Sequence, residues 1–201
     1  MQKLTIQTGS YEVNCTILHD GDSAYVVDPG AEAERIIALL EERKLAAKAI
    51  LLTHAHFDHI GAVPALQARY PGLPVYVDAG DMAMFGHPFN QLPPEYPLVA
   101  RPENLRDAHE LEGFEAIDTP GHTPGGVCWH LAADRLLLSG DTLFAGSAGR
   151  TDFPGGSMSR LMESLAKLAA LPDDTEVIPG HGPFTTIGRE KATNVFMRAD
   201  A

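Results

Sequence analysis

At 201 residues, with 44% hydrophobic and 21% charged side chains, the chain is long enough for one well-buried core and short for two independent ones. That composition excludes intrinsic disorder, and no run approaches the roughly 18–20 apolar residues of a membrane-spanning helix. A formal net charge of -12, with no stripe of Lys or Arg, excludes a phosphate-backbone partner, because nucleic acids are held non-specifically by clustered cations that release counterions.

The first eighteen residues lack the basic head, apolar middle and small-residue cleavage site of a secretory signal, so the expectation is a cytoplasmic protein. Cys15 and Cys128 are then expected to be buried thiols without a catalytic role. Leu4–Gln7, Val13–Leu18 and Ala24–Asp28 are predicted strands, short, rich in β-branched residues and separated by Gly-containing turns, which suggests an opening β-meander. Ala31–Lys44 sets Ile36, Ile37, Leu39 and Leu40 against a face of Glu and Arg, the spacing of an amphipathic helix.

Ala49–Thr53 follows as an apolar strand, Ile60–Tyr70 as a helix that tolerates Pro64 only in its first turn, and Val75–Val77 as a short strand. Gly86–Pro102 carries five prolines, too many missing N–H donors for regular structure, and is expected to be a long surface loop of the kind that covers sites. Strands are predicted at Phe114–Thr119, Val127–Leu131, Arg135–Ser139 and Glu176–Pro179, and helices at Ser157–Leu171 and Gly188–Arg198. Two strand-rich stretches, each flanked by helices, predict an α/β fold with two sheets packed face to face and helices outside, a four-layer αββα sandwich.

The chemistry concentrates after the strand at Ala49–Thr53. His54, His56, Asp58 and His59 are four ligand-capable side chains within six positions. At about 100° per residue they would not share one face of a helix, so the segment is expected to be a turn whose side chains converge. His122, Asp141 and His181 each follow an apolar strand and a Gly, which lets the chain turn sharply and present the next side chain at the strand end. Taken singly, each of these three reads as a structural residue, and Asp141 as a turn cap. Four donors in six residues have no comparable structural use, given the cost of burying imidazoles and carboxylates without partners.

Seven donors exceed the four of one tetrahedral ion, so two divalent transition-metal ions are expected. Asp141 is the natural bridge, since a carboxylate can give one oxygen to each ion. Imidazole and carboxylate donors without thiolate accept zinc, iron or manganese, and zinc is the first expectation. Asp28 is a candidate acceptor for a ligand imidazole N–H, with the capping of a turn before Pro29 as its alternative. Arg150 is a candidate for a substrate carboxylate, with an ion pair to Asp152 as its alternative. Tyr76 and Phe89 are candidates to border the substrate, whereas His19, His87, His109 and His130 read as packed or surface residues.

Thr53 to Gly61, followed by Pro120-Gly121-His122, Gly140-Asp141 and Pro179-Gly180-His181, resembles the metallo-β-lactamase superfamily over nearly the whole chain. The donor set, with Gly149 to Gly156 and His181 to Gly188, resembles the short glyoxalase II-like hydrolases. The resemblance implies one hydrolase domain over residues 1–201, without the C-terminal helical domain that supplies glutathione contacts in longer members. It also implies a division of donors: His54, His56 and His122 for one ion, Asp58, His59 and His181 for the other, Asp141 between them. The expected activity is cleavage of a small-molecule thioester such as a hydroxyacyl-glutathione by a metal-bridging hydroxide, with Asp58 and Asp141 in catalytic roles. Its rivals are a persulfide dioxygenase with one iron at His54, His122 and Asp141, and a metal-binding scaffold without activity. Against the dioxygenase, Gly182-Pro183 follows His181 where that family has an acidic residue and then Tyr.

Overall fold

The computed structural model describes residues 1–198. Three antiparallel strands open the chain, β1 (Gln2–Thr8), β2 (Val13–Asp20) and β3 (Ser23–Val27). The helix α1 (Ala33–Glu42) then crosses to β4 (Ala46–Leu51), which lies parallel to β3 and to β5 (Val75–Val77). A strand with no sequence signal, β6 (Leu105–Asp107), completes this six-stranded sheet in the order β1-β2-β3-β4-β5-β6. The second sheet holds β7 (Glu115–Asp118), β8 (Val127–Leu131), β9 (Leu136–Gly140), β12 (Glu176–Pro179) and β13 (Thr185–Thr186), ordered β13-β12-β9-β8-β7. A two-stranded ribbon, β10 (Leu143–Phe144) and β11 (Ser147–Ala148), projects after β9.

Strand alternation accounts for the layering. In β8, Val127, Trp129 and Leu131 face the first sheet, while Cys128 faces away; in β9, Leu136 and Leu138 face inward and Leu137 outward. Across the gap Leu18, Val27, Ala49, Leu51 and Tyr76 supply the other half of that central core. The outer face of the first sheet buries Ile17, Val26 and Ile50 against Ile36 and Leu40 of α1 and Val63 and Leu66 of α3 (Val63–Arg69). The outer face of the second packs on Leu161, Leu165 and Leu168 of α4 (Met158–Ala169) and Ile187 of α5 (Ile187–Thr193). Both faces of each sheet are covered, so these strands read as continuous apolar runs. The result is the four-layer αββα sandwich.

The helix expected over Ile60–Tyr70 is instead two, α2 (Phe57–Ile60) and α3. At the break the Ala62 N–H leaves the helix ladder and donates to the Pro29 carbonyl at 2.9 Å, and that close approach requires Gly61, where a side chain would overlap the carbonyl of Gly30. Pro64 sits in the first turn of α3, where its missing N–H costs nothing. The loop from Gly86 to Pro102 has only the Leu92–Tyr96 bridge as regular pairing. Among the described residues no helix is long and apolar enough to cross a membrane. Cys15 and Cys128 are free thiols, buried on the outer faces of their sheets, and burial pushes both pKa values up.

Candidate metal centre

The seven donors gather at one rim, where strand ends from both sheets meet. Three main-chain bonds fix this rim: Val127 N–H to the Thr53 carbonyl, Asn14 N–H to the Gly180 carbonyl, and Gly180 N–H to the Gly140 carbonyl, each 2.8 Å long. His54 and His56 leave the end of β4, and Asp58 and His59 ride on the single turn of α2. His122 follows β7, Asp141 follows β9 and His181 follows β12, as their Gly-X positions lead one to expect. Gly121 and Gly140 have φ of 144° and 48°, the left-handed region in which glycine alone is unstrained.

Two clusters form, with Asp141 between them. His54, His56 and His122 present ring nitrogens within 4.8 Å of one another, a carboxylate oxygen of Asp58 and ring nitrogens of His59 and His181 gather as closely, and His54, His59 and Asp141 form a third such group linking the two. Asp141 Oδ1 lies 3.4 Å from His59 Nε2, while its Oδ2 lies 3.6 Å from His122 Nε2 and 3.5 Å from His181 Nε2. One carboxylate therefore reaches both clusters, with Oδ2 near His122 and His181 and Oδ1 near His59.

Partners behind the rings set their tautomers. His122 Nδ1–H donates to the Arg150 carbonyl at 2.7 Å, which leaves a lone pair on Nε2, and that atom stands 2.9 Å from His56 Nδ1. His181 Nδ1–H donates to the Tyr11 carbonyl at 2.7 Å and aims Nε2 at Asp58 and Asp141. Asp28 accepts the Thr53 N–H and hydroxyl at 2.8 and 2.6 Å, and its Oδ2 stands 3.1 Å from His59 Nδ1. Asp28 therefore braces the residue after β4 and stands beside a candidate ligand, and its hydrogen bonds go to Thr53 rather than to the turn before Pro29.

The donor set fits divalent ions. Buried Nε2 atoms of His54 and His56 and Oδ1 of Asp141 have no hydrogen-bond partner among the protein atoms. At about 1–3 kcal/mol for each buried polar atom left unpaired, the total is a large share of a typical stability of about 5–15 kcal/mol. Such a cost is sustained where a ligand repays it. Gly180 points the same way, since a methyl there would overlap Asp141 Oδ1 and stand 2.8 Å from His59 Cε1, so its bare backbone keeps the cradle open.

Protonation differs between the clusters. Burial pushes His54 well below the usual imidazole range, and burial together with His122 takes His56 down to about 3. Burial opposes charge on His59 and His181 as well, but Asp141 and Asp58 outweigh it, so His59 is raised well above the ordinary value and His181 goes up to about 9. Burial likewise opposes ionisation of Asp58 and Asp141, and His59 overrides it in both, holding them lower than an ordinary carboxylate. Charge is therefore favoured on His59 and His181 and disfavoured on His54 and His56.

A cleft of about 260 Å³ opens onto the centre, lined by His56, Phe57, Asp58, His122, Asp141, His181, Tyr11, Arg150 and Phe153. Arg150 makes the alternative ion pair, with Nε and Nη2 on the two oxygens of Asp152 at 2.6 and 2.7 Å, and its guanidinium stacks 4.0 Å over Phe153. Phe89 packs behind Phe153 at 5.7 Å between ring centroids and does not itself line the cleft. Nor does Tyr76, because its strand faces the second sheet and buries the ring in the central core. Tyr11 carried no signal in the sequence, and Phe153 only its place in the Gly149–Gly156 motif. Tyr11 comes from the β1–β2 turn and is held at the centre by the Val13–His181 bridge and by its own carbonyl on His181. His109 pairs with Asp118 at the surface, and the buried His130 pairs with the exposed Glu115.

A four-layer sandwich carrying paired His and Asp clusters at its sheet edge defines a class of metal-dependent catalytic folds. The chain belongs to the metallo-β-lactamase superfamily, whose family profile it matches over residues 8–181. It is 35% identical to the hydroxyacylglutathione hydrolase GloC of Haemophilus influenzae, covering 96% of this chain and 97% of that protein. The crystal structure of the BLEG-1 B3 metallo-β-lactamase superposes with a TM-score of 0.88 at 37% identity, over 98% of this chain and 99% of that one. TTHA1623 in a di-iron-bound form superposes with a TM-score of 0.82 at 39% identity, over 96% and 99%. These likenesses support an enzyme of metal-dependent hydrolysis.

Proposed function

We propose that the chain is a thioester hydrolase with two divalent transition-metal ions, acting on hydroxyacyl-glutathiones of the S-lactoylglutathione type. The observation that carries this reading is the shared carboxylate: Asp141 lies within 3.6 Å of donors in both clusters. The likeness to the Haemophilus influenzae enzyme supports the choice of thioester. His54, His56 and His122 hold one ion, Asp58, His59 and His181 the other, and Asp141 both. Zinc is the first choice for the ions; iron and manganese suit the same donors, and TTHA1623 has been seen with two irons.

When bound, such ions lower the pKa of water from 15.7 to about 7 and polarise a carbonyl, supplying nucleophile and electrophile at neutral pH without a Ser or Cys. The chain's own residues do the rest. Asp58 and Asp141, kept ionised by the imidazoles around them, orient the attacking water. The water oxygen forms a C–O bond to the thioester carbonyl carbon, and collapse of the tetrahedral species breaks the C–S bond, leaving a carboxylate and the released thiolate. Phe57, Tyr11 and Phe153 wall the cleft with aromatic surface that displaces water from the acyl group. Arg150 exchanges its exposed partner Asp152 for a substrate carboxylate, because an exposed ion pair is held by little and a glutathione conjugate is anionic. The buried free thiols accord with a cytoplasmic, reducing setting.

The test is metal content of protein purified without chelator, measured beside hydrolysis of a hydroxyacyl-glutathione and oxygen uptake with glutathione persulfide. About two ions per chain with thioester cleavage is the expected result. One iron per chain with oxygen uptake would establish the dioxygenase, and two ions without hydrolysis the inert scaffold.

A further inference from the structure

The three imidazoles of the first cluster come from opposite sheets. His54 and His56 follow β4 in one sheet, and His122 follows β7 in the other. Ligands on separate layers need something to hold their spacing, since a metal site tolerates displacements of only about 0.5 Å. Deeper in the interface the main chain supplies the link, from Val127 N–H to the Thr53 carbonyl. At the level of the ligands it does not.

Asp81 stands there, fully buried. Its Oδ2 accepts the N–H of Ala55, the residue between His54 and His56, at 3.1 Å. Its Oδ1 accepts the N–H of Gly125, three residues past His122, at 2.7 Å. Asn90, buried at the head of the proline-rich loop, takes the other side of Ala55: its Nδ2–H donates to the Ala55 carbonyl at 2.7 Å and to the Met84 carbonyl at 3.2 Å. Among the described residues no other hydrogen bond reaches Ala55.

Two glycines permit this approach. A Cβ on Gly125 would stand 2.5 Å from Asp81 N and 2.7 Å from Asp78 Oδ1, and one on Gly80 would stand 2.9 Å from Gly125 Cα. Neither has a positive φ, so close approach of two backbones, not turn geometry, requires glycine at both.

We propose that Asp81, with Asn90, is a positioning residue for the ion held by His54, His56 and His122, spanning the two sheets and setting the bite of that triad. The proposal rests on the two-ion reading. It also gives the segment leading into the proline-rich loop a task, which is to clamp the peptide that separates two ligands.

The experiment measures zinc affinity by competition with a chromophoric chelator, in the full chain and again with His181→Ala so that the first cluster alone reports. Asp81→Ala and Gly125→Ala are expected to weaken the first ion about 10–100-fold, with Asn90→Ala in the same direction, while the second ion keeps its affinity in the chain that retains His181. Gly125→Ala leaves the carboxylate intact and only forces the two segments apart, so it carries the test if Asp81→Ala fails to fold. Circular dichroism and the Tm of the metal-free variants report on folding. Unchanged first-ion affinity in folded variants would overturn the proposal, as would equal weakening of both ions in step with a lower metal-free Tm. A parent chain that takes up no zinc would instead overturn the two-ion reading, and the clamp with it.

Discussion

Lowering the pH of the two-ion protein from about 8 to about 6 is expected to release the ion at Asp58, His59 and His181 and to retain the one at His54, His56 and His122. In the metal-free chain His181 is raised to about 9, since Asp141 and Asp58 outweigh the burial that opposes its charge, and His59 is raised well above the ordinary value by the same carboxylates. His181 thus holds its proton in this window and the same carboxylates favour charge on His59, so a second ion must displace protons from these rings. Affinity then falls about tenfold per pH unit for each proton, or about 10⁴-fold across two units for two protons. His54 and His56 are depressed, the latter to about 3, and have no proton to evict at these pH values. Equilibrium dialysis with elemental analysis gives the stoichiometry at each pH, and calorimetry in buffers of different ionisation enthalpy counts the protons released. Loss of both ions with one common slope, or release of less than one proton with the second ion at neutral pH, would refute this account of the site.

The same shift acts on the metal-free protein with a definite sign. His181 charge stabilises fully below the ordinary imidazole value of 6.5 and is lost as pH rises through about 9, so the Tm of the chelated protein should fall across that interval. Gly180→Ala places a methyl against Asp141 Oδ1 and His59, and is expected to cut affinity for both ions by about tenfold or more with the fold intact by circular dichroism; native affinity would show that the cradle is not tight. Arg150→Ala is expected to raise KM for a glutathione thioester about tenfold with kcat and metal content unchanged, because the group acts on a remote anion. An unchanged KM would leave Arg150 only its pair with Asp152.

Much of the layout was legible because burial on both faces leaves a direct record. Val127–Leu131, Val75–Val77 and Glu176–Pro179 are apolar stretches bounded by turn residues, and each is a strand with those limits. The candidate donors were legible for another reason: four ligand-type side chains at His54, His56, Asp58 and His59 are costly to bury for any structural purpose. What escaped depends on main chain and on partners distant in sequence. The carbonyls of Arg150 and Tyr11 orient His122 and His181, and a carbonyl has no residue signature. Strand β6 is three residues with one hydrophobic side chain, paired only because β5 lies beside it. Tyr76 was placed at the substrate by its residue type, whereas the two-residue repeat of its strand sends the ring into the central core.

The most direct measurement of the two-ion claim is made on His181→Ala. In the proposed arrangement this residue serves the second ion alone, its Nε2 lying 3.4 Å from Asp58 and 3.5 Å from Asp141, whereas one iron at His54, His122 and Asp141 would not use it. Metal content and kcat for a hydroxyacyl-glutathione are measured together, with circular dichroism confirming the fold. The account requires loss or loosening of one ion and a fall in kcat on the order of 10² or more. A folded variant that retains near-parental hydrolysis would contradict it.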